Sequence, residues 1–314
     1  MAQSSNAGNA NHPTGQELVT KYSDAIRGKV ILTTGVSPGG LGATFVEAVA
    51  AAQPALLILA GRNPSKCQKV ADTCRIDYAG VQLKILELDL SSFSAVRKAA
   101  AEVLSWTDVP AIDILVNNAG IMAVPFSLST DGYESQFASN HLGQFLFTNL
   151  IMPKLLAVPS PRIISNGALY DKWVAYGQSK TANILFAVSL AQKLGSRGLL
   201  AFSLHPGAII TNLGTHLDRS PGGDLDHMMN LARSRGLKLG FYSRSGLVSR
   251  DKGIATHVFA CFEPTLSSDN GKYLQECRIA DPYEEEVMPW ATSKVEAARL
   301  WAMSEAIVGQ RFTY

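Results

Sequence analysis

The sequence has few cysteines, no long apolar run and no export signal. Its four cysteines lack the paired short spacing of zinc ligands, and a disulfide framework would need a shorter, cysteine-richer chain. Reduced thiols in the core are therefore expected. No apolar run approaches the roughly 18 residues that a membrane span requires, and the first residues lack the basic and apolar regions of a secretory signal. These absences predict a cytoplasmic protein with no metal site and no obligatory membrane partner.

An excess of charge of either sign is also missing. The 28 Lys and Arg residues and the 26 Asp and Glu residues leave a formal net charge of +2, and the basic residues are scattered. Nucleic acids and anionic membranes are bound by gathered positive charge, so neither is an expected partner. The composition, 46% hydrophobic and 17% charged, is typical of a globular protein with a sizeable core.

What the sequence does contain is a regular alternation of apolar runs and helical segments. The apolar runs lie at residues 30–33, 56–59, 83–88, 112–116, 162–164 and 199–204. The helical segments lie at residues 43–52, 64–76, 92–104, 132–156 and 176–194. Continuous apolar strands separated by helices are typical of a parallel sheet covered on both faces. Since no linker interrupts the pattern, it predicts a single α/β domain over residues 14–314, a Rossmann-like doubly wound parallel sheet with helices on both faces.

Two segments fall outside this alternation. Residues 1–13 are small and polar, and they are predicted to form a disordered tail. Thr14 and Glu17 then have capping-box spacing and open a short helix, as Asp131 and Glu134 are expected to open the helix at 132–156. Residues 211–250 are rich in Gly, Ser and Arg. Irregular segments of this length are often lids or binding loops, so a substrate loop is predicted there; a disordered surface insertion is the alternative.

A glycine-rich loop follows the first predicted strand and precedes a helix. It runs from Thr34 to Gly42 with the sequence TGVSPGGLG. Glycine lets the backbone turn tightly against a pyrophosphate, whose charge the N-terminus of the next helix favours. The loop is therefore a predicted dinucleotide site. The contacts are expected from Gly35, Ser37, Gly39, Gly40, Leu41 and Gly42.

The end of the second predicted strand indicates which dinucleotide is bound. Sites that prefer NAD usually place an acidic residue there to hold the ribose 2′-hydroxyl. This chain has Arg62 instead, and Lys66 follows one helical turn later. No carboxylate repels a 2′-phosphate, and the guanidinium offers a planar cationic fork to bind one. NADP is the predicted cofactor, the alternative being that Arg62 is an ordinary surface residue.

Several further motifs occur in one order along the chain. They are Asp89-Leu90, Asn117-Asn118-Ala119-Gly120, Asn140, Tyr176-Gly177-Gln178-Ser179-Lys180 and Pro206-Gly207. Together with the glycine loop they resemble the short-chain dehydrogenase/reductase family from about residue 27 to 310. The stretches 175–183 and 205–207 are most similar to its retinol-dehydrogenase-like branch, which includes the catalytic domain of the WW-domain oxidoreductase; no WW module is present here.

Tyr176 and Lys180 carry the predicted chemistry. Four residues apart on a helix, they project from one face. A phenol with a pKa near 10 is a poor base at neutral pH. An ammonium and a positive nicotinamide ring beside it favour the phenolate, so Tyr176 can take a proton from an alcohol or give one to a carbonyl. A solvated helix face is the alternative.

The resemblance implies roles for other residues. Lys180 would also hold the nicotinamide ribose, and Asn140 would position a water that relays protons to Lys180. Asp89 would hydrogen-bond the adenine, and Asn117 and Ala119 would line the adenosine side. Further cofactor contacts are implied for Pro206, Gly207, Ile209 and Thr211. His141 and His205 are expected to be structural.

The chain departs from the family pattern in two places. The glycine loop has one extra residue, which Gly39 is expected to absorb. The segment between the fifth strand and Tyr176 is short, since about two dozen residues of the related branch are missing. Ser165 is the candidate in this segment for the serine that holds the substrate oxygen. A protein with damaged catalysis is the alternative.

The sequence thus predicts an NADP(H)-dependent oxidoreductase that interconverts an apolar secondary alcohol and its ketone, with a place in secondary metabolism. The predicted pocket lining includes Met228, Met229, Leu231 and Phe241. One alternative is an NADP-binding sensor or scaffold without turnover, and another is a dehydration or isomerisation on the same fold. The resemblance also implies a homodimer through the two long central helices.

Overall fold

A computed structural model of the chain describes residues 12–166, 171–234, 247–284 and 287–314. The strands in these ranges are β1 (Val30–Thr34), β2 (Leu56–Gly61), β3 (Leu83–Glu87), β4 (Ile114–Asn117), β5 (Arg162–Asn166), β6 (Leu200–His205), β7 (Ala208–Ile209), β8 (Leu247–Val248), β9 (Tyr273–Gln275) and β10 (Arg278–Ile279). Most of the predicted tail at 1–13 lies outside the described residues.

The strands form one large sheet and one small one. The order in the large sheet is β10-β9-β6-β5-β4-β1-β2-β3, and β7 pairs with β8. All neighbours in the large sheet are parallel except β9 and β10. The chain reverses its direction of travel across the sheet between β1 and β4, the point where doubly wound sheets bind ligands. The predicted parallel α/β architecture is confirmed; β9 and β10, three and two residues long, were not predicted.

Helices cover both faces of the large sheet. They are α1 (Gly15–Lys21), α2 (Ser23–Ile26), α3 (Leu41–Ala50), α4 (Pro64–Asp77), α5 (Phe93–Ser105), α6 (Ser135–Phe137), α7 (Gly143–Leu150), α8 (Met152–Leu155), α9 (Asp171–Leu194), α10 (Asp224–Ser234), α11 (Arg250–Phe262) and α12 (Lys294–Val308). One apolar core lies between the sheet and α1, α3, α4 and α11. The other lies under α5, α7, α9 and α12.

The first helix begins where the sequence predicts. The Thr14 amide donates to a Glu17 carboxylate oxygen at 2.7 Å, and the Glu17 amide donates to the Thr14 hydroxyl at 3.2 Å. This reciprocal pair satisfies two amides that would otherwise lack partners, which confirms the predicted capping box.

The long helix predicted at 132–156 is confirmed in part, because the chain is helical there but does not form one regular α-helix. The chain instead forms α6, a π turn at Ala138–Leu142, α7 and α8. Glu134 alone caps α6, accepting the amides of Gln136 and Phe137. The Asp131 carboxylate instead accepts the amide of Phe93 at 2.9 Å, and Phe93 is the first residue of α5. The π turn contains Asn140, one of the predicted catalytic residues.

The C-terminal helix α12 covers part of α9 on the sheet's second face. Trp301 of α12 contacts Phe145 edge-on at 5.0 Å between ring centres, and the Tyr314 hydroxyl donates to the side chain of Asn149. The homodimer implied through α7 and α9 stays a prediction, and pairing there would have to accommodate α12. In the described part of the chain no helix has the length and apolar character to cross a membrane.

Candidate active site

A cavity of about 930 Å³ opens at the carboxyl ends of the parallel strands. The loops after β1, β2, β3, β4 and β6 all contribute to its wall. Most predicted site residues line it: Gly35, Ser37, Gly40, Leu41, Arg62, Lys66, Asp89, Ala119, Tyr176, Lys180, Pro206, Gly207, Ile209 and Thr211. The cavity therefore joins the predicted cofactor loop to the predicted catalytic pair.

The glycine loop forms one end of the cavity. Gly35 has φ +73°, and a Cβ built there would lie 2.6 Å from the Cα of Ala119, so only glycine fits. Gly39 has φ +78°, where an extra glycine is tolerated. Gly40 precedes α3, and no side chain caps that helix within the described residues. Its first amides are thus available to an anion, and the loop fits the diphosphate of a dinucleotide.

Two predicted cofactor contacts of this loop face away from the cavity. Gly39 borders a neighbouring surface cleft of about 620 Å³ beside Arg250. A Cβ on Gly42 would lie 2.6 Å from the side-chain nitrogen of Asn118 and 2.8 Å from the Gly35 carbonyl oxygen. Gly42 therefore allows α3 to pack closely on the loop rather than touching the cavity.

The far side of the loop carries the groups predicted to select the cofactor. Arg62 directly follows β2, and Lys66 lies in the first turn of α4; both side chains are exposed and border the cavity. Within the described residues neither makes an ion pair. The Asp89 carboxylate accepts the amide of Ser91 at 3.0 Å and its hydroxyl at 2.7 Å, which holds it at the cavity wall.

The structure does not bring Asn117 to the cavity. Its side chain is buried and donates to the hydroxyl of Thr148 at 3.0 Å. The next residue, Asn118, lines the cavity and donates to the Thr34 carbonyl oxygen at 2.8 Å. Because successive strand residues point to opposite faces, a difference of one position exchanges wall and core. Ala119 lies where it was expected, with its amide on the Thr34 hydroxyl.

Tyr176 and Lys180 lie on α9 at the other end of the cavity. The Lys180 Nζ is 5.4 Å from the centre of the Tyr176 ring. Burial raises the pKa of Tyr176 above its ordinary value and lowers the pKa of Lys180 to about 8. Among the protein's own groups, desolvation therefore opposes ionisation of the phenol.

Asn140 braces this pair from behind the cavity wall. It is fully buried; its side-chain oxygen accepts the Ile121 amide, and its nitrogen donates to the Ile121 carbonyl oxygen, each at 2.8 Å. The same nitrogen donates to the Ser179 hydroxyl at 3.0 Å, and that hydroxyl donates to the Tyr176 carbonyl oxygen at 2.5 Å. A Cβ on Gly120 would lie 3.1 Å from the Asn140 oxygen and 3.5 Å from the Lys180 Nζ, so these two atoms flank one point.

The two histidines differ in position. His141 is buried away from the cavity, with its Nε2 2.8 Å from the Ser304 hydroxyl, and burial lowers its pKa to about 3. His205 ends β6 and lines the cavity. Its Nδ1 accepts the Gly207 amide at 3.1 Å, and burial lowers its pKa to about 4. His205 thus holds the Pro206-Gly207 turn as a neutral ring.

The Ser165 side chain lies outside the described residues, as does Phe241. The backbone of Ser165 belongs to β5 and pairs with Asn117 of β4 and Ser203 of β6. The pairing therefore shows how far along β5 the residue Ser165 lies relative to the neighbouring strands.

Within the predicted substrate loop, the segment Asp224–Ser234 forms α10, which contributes to the cavity wall. Met228, Met229 and Leu231 of α10 line it, as predicted. The Asp224 carboxylate forms an ion pair with Lys172 of α9 at 2.5 Å, and the Asp224 carbonyl oxygen accepts the Trp173 indole N–H at 3.2 Å. These contacts connect α10 to α9, the helix that carries Tyr176.

Other wall residues were missed by the sequence analysis. They include Met122, Ser139, Trp173, Leu213, Leu217 and Leu225. Trp173 was detectable because it precedes Tyr176 by three positions on the same helix, which places both on one face. Within the described ranges no group of three or more His, Cys, Asp or Glu side chains could hold a metal ion.

Known proteins resemble the chain over most of its length. A family model for short chain dehydrogenase matches residues 29–221. Retinol dehydrogenase 14 of Mus musculus is 32% identical over 311 residues, covering 90% of this chain and 87% of that protein. The short-chain dehydrogenase TIC 32 A, chloroplastic, of Brassica napus is 31% identical, covering 93% and 92%. A crystal structure of an uncharacterised protein from Mycobacterium paratuberculosis has a TM-score of 0.69 at 26% identity, covering 97% of this chain and 100% of that one.

Proposed function

The chain belongs to the short-chain dehydrogenase family, in its retinol-dehydrogenase-like branch, and on this premise we propose that it is an NADP(H)-dependent oxidoreductase that interconverts an apolar secondary alcohol and its ketone. The family binds a nicotinamide cofactor and acts on alcohol and carbonyl groups. One observation carries the proposal: a single cavity is lined by the glycine loop and Arg62 at one end and by Tyr176 and Lys180 at the other.

The proposed mechanism gives each residue of the catalytic end one task. A bound nicotinamide would supply or accept the hydride. As a phenolate, Tyr176 would receive the alcohol proton on its oxygen during oxidation; as a phenol, it would donate its hydroxyl proton to the carbonyl oxygen during reduction. Lys180 would stabilise the phenolate with its ammonium and hold the ribose. Asn140, fixed on Ile121 and Ser179, would keep a relay water and the α9 backbone in place.

The cofactor end supports NADP over NAD. Arg62 and Lys66 border the cavity where a 2′-phosphate would lie, and neither is neutralised by an acidic partner in the described parts of the chain. A charge-assisted hydrogen bond to phosphate commonly contributes about 1.5–3 kcal/mol, which corresponds to roughly a 10- to 100-fold change in affinity.

We therefore expect Arg62→Ala to weaken NADPH binding by about 10- to 100-fold and NADH binding by less than about 3-fold. Dissociation constants from cofactor fluorescence would measure both. Arg75→Ala is the matched control, because Arg75 is exposed on α4, the helix that follows Arg62, pairs with Asp72 and lies outside the cavity wall. Equal losses for the two cofactors would contradict the proposed role of Arg62.

The lining of the catalytic end indicates an apolar substrate. Met122, Trp173, Leu217, Met228 and Met229 contribute to this wall. Such side chains, with methionine able to adjust its shape, suit a bulky hydrophobic alcohol better than a sugar. The names of the curated relatives add retinol to the compounds worth testing.

The activity is tested by incubating the purified chain with NADPH or NADP⁺ and a panel of apolar ketones, secondary alcohols, retinal and retinol. We expect oxidation or reduction of at least one compound, detected by the change in cofactor absorbance. The mass of its product should differ from that of the substrate by two hydrogens. Cofactor binding without turnover of any compound would favour a sensor or scaffold. A product formed without redox change would indicate a dehydration or isomerisation. A cytoplasmic location and a place in secondary metabolism remain parts of the proposal.

A further inference from the structure

The level of Ser165 in the sheet bears on the substrate-orienting role that the family pattern assigns to it. Ser165 pairs with Asn117 on one side and Ser203 on the other. Both neighbours are buried, and neither lines the cavity. The cavity wall begins one residue later on β4, at Asn118, and two residues later on β6, at His205. On the two strands that flank β5, the wall therefore begins beyond the level of Ser165.

A different serine lies on the wall. Ser139 lines the cavity together with Tyr176 and Trp173 and is 8% exposed. Within the described residues its hydroxyl makes no hydrogen bond. Serine in a helix often bonds the carbonyl oxygen one turn back, and this hydroxyl does not. A nearly buried hydroxyl without a protein partner, on the wall of the cavity that also contains the predicted general acid, is available to a ligand, since such groups normally find one.

The position of Ser139 follows from the π turn at Ala138–Leu142. Such turns insert one residue into a helix and are frequent at functional sites. Here the turn is fixed by the next residue, Asn140, whose amide bonds Ile121 on the loop after β4 and Ser179 on α9. Ser179 in turn bonds the Tyr176 carbonyl oxygen. The backbone segments that carry Ser139 and Tyr176 are thus connected by hydrogen bonds. Two side chains can bind one substrate oxygen together only if their relative positions are fixed in this way.

We propose that the Ser139 hydroxyl, presented by the π turn, holds the reacting oxygen of the substrate in place of Ser165. The inference rests on the proposed function and names a further residue of the same site. During reduction, negative charge builds on the carbonyl oxygen while Tyr176 delivers its proton. Ser139 donates a hydrogen bond to that oxygen and stabilises this charge, and no bond to Ser139 itself is made or broken.

The test compares Ser139→Ala, Ser139→Thr and Ser165→Ala with Ser135→Ala as the matched control. Ser135 lies one turn earlier, is equally buried and is absent from the cavity wall. We expect Ser139→Ala to lower kcat about 100-fold for a ketone that the wild type reduces, Ser139→Thr to recover most of that loss, and Ser165→Ala to lose less than Ser139→Ala. NADPH affinity and unfolding temperature should match those of the control.

A second readout does not depend on turnover. Trp173 lines the cavity, so quenching of tryptophan fluorescence reports ketone binding to the protein–NADPH complex, and this affinity should fall in Ser139→Ala alone. Full activity in Ser139→Ala, or a larger loss in Ser165→Ala, would overturn the inference and leave the proposed function standing. A wild type that converts no compound would contradict the proposed function, and the inference would fall with it.

Discussion

Tyr176→Phe is expected to lower kcat by about 10³-fold while NADPH affinity stays within about 3-fold of the wild type. The substitution removes one hydroxyl and keeps the aromatic ring. The proton of the substrate alcohol then loses its proposed acceptor, and the carbonyl oxygen loses its proposed proton donor. Steady-state kinetics with the best compound of the panel, and cofactor fluorescence for binding, would measure the two quantities separately.

Tyr283→Phe controls for the loss of a phenol elsewhere, because Tyr283 is 94% exposed. It should behave as the wild type. If Tyr176→Phe kept more than about a tenth of the activity, the proton would have to travel through another group, and Ser139 and His205 would be candidates on the wall.

Lys180→Met is expected to lower kcat about 10²- to 10³-fold and also to stabilise the cofactor-free fold at neutral pH. The first effect follows from loss of the ammonium that favours the phenolate. The second follows from burial, which lowers the pKa of Lys180 to about 8 in the folded protein. At pH 7 the lysine is charged in both the folded and unfolded states, so the folded state carries the full cost of the buried charge.

This stability effect has a defined pH dependence. Above about pH 8 the folded wild type releases the proton, whereas the unfolded chain holds it to its ordinary, higher pKa. Because the unfolded state then binds more protons, wild-type stability rises with pH over that interval, and the advantage of Lys180→Met shrinks. Thermal unfolding from pH 7 to 10 would show this convergence. Lys193→Met is the control, since Lys193 is exposed on the same helix. A lower unfolding temperature for Lys180→Met at pH 7 would contradict the account.

Local signals predicted much of the fold and part of the site. The strands β1 to β6 were predictable because apolar-rich segments alternate with helical ones, and Thr14 and Glu17 mark a helix start within four residues. The glycine loop and the Tyr176–Lys180 pair were predictable because glycine geometry and helical spacing are local properties. The structure places these two groups in one cavity, which agrees with the prediction.

The features that were not predicted depend on tertiary contacts. The run at 132–156 has a helical pattern throughout, but Asp131 finds its partner on α5 and Asn140 bonds two other elements, which favours a π turn. Whether Asn117 or Asn118 faces the cavity depends on the strand pleat, which turns successive side chains to opposite faces. The sequence pattern does not locate the end of the strand to within one residue. Ser139 lies on the wall as part of that turn. Nothing in the sequence around it indicates this.

The central claim is electrostatic. Burial alone raises the pKa of Tyr176. Catalysis near neutral pH therefore requires the positive charges of Lys180 and a bound oxidised nicotinamide to outweigh desolvation. The pKa of Tyr176 should therefore differ between the cofactor-free and the cofactor-bound protein, and this difference can be measured directly.

The most direct measurement is the pH titration of Tyr176 by ultraviolet difference absorbance of the phenolate, with and without NADP⁺. The Tyr176→Phe variant supplies the background of the other eight of the nine tyrosines. The account predicts that saturating NADP⁺ lowers the titration midpoint of Tyr176 by about two pH units or more, and that Lys180→Met removes much of this shift. An unchanged midpoint in the presence of NADP⁺ would contradict it.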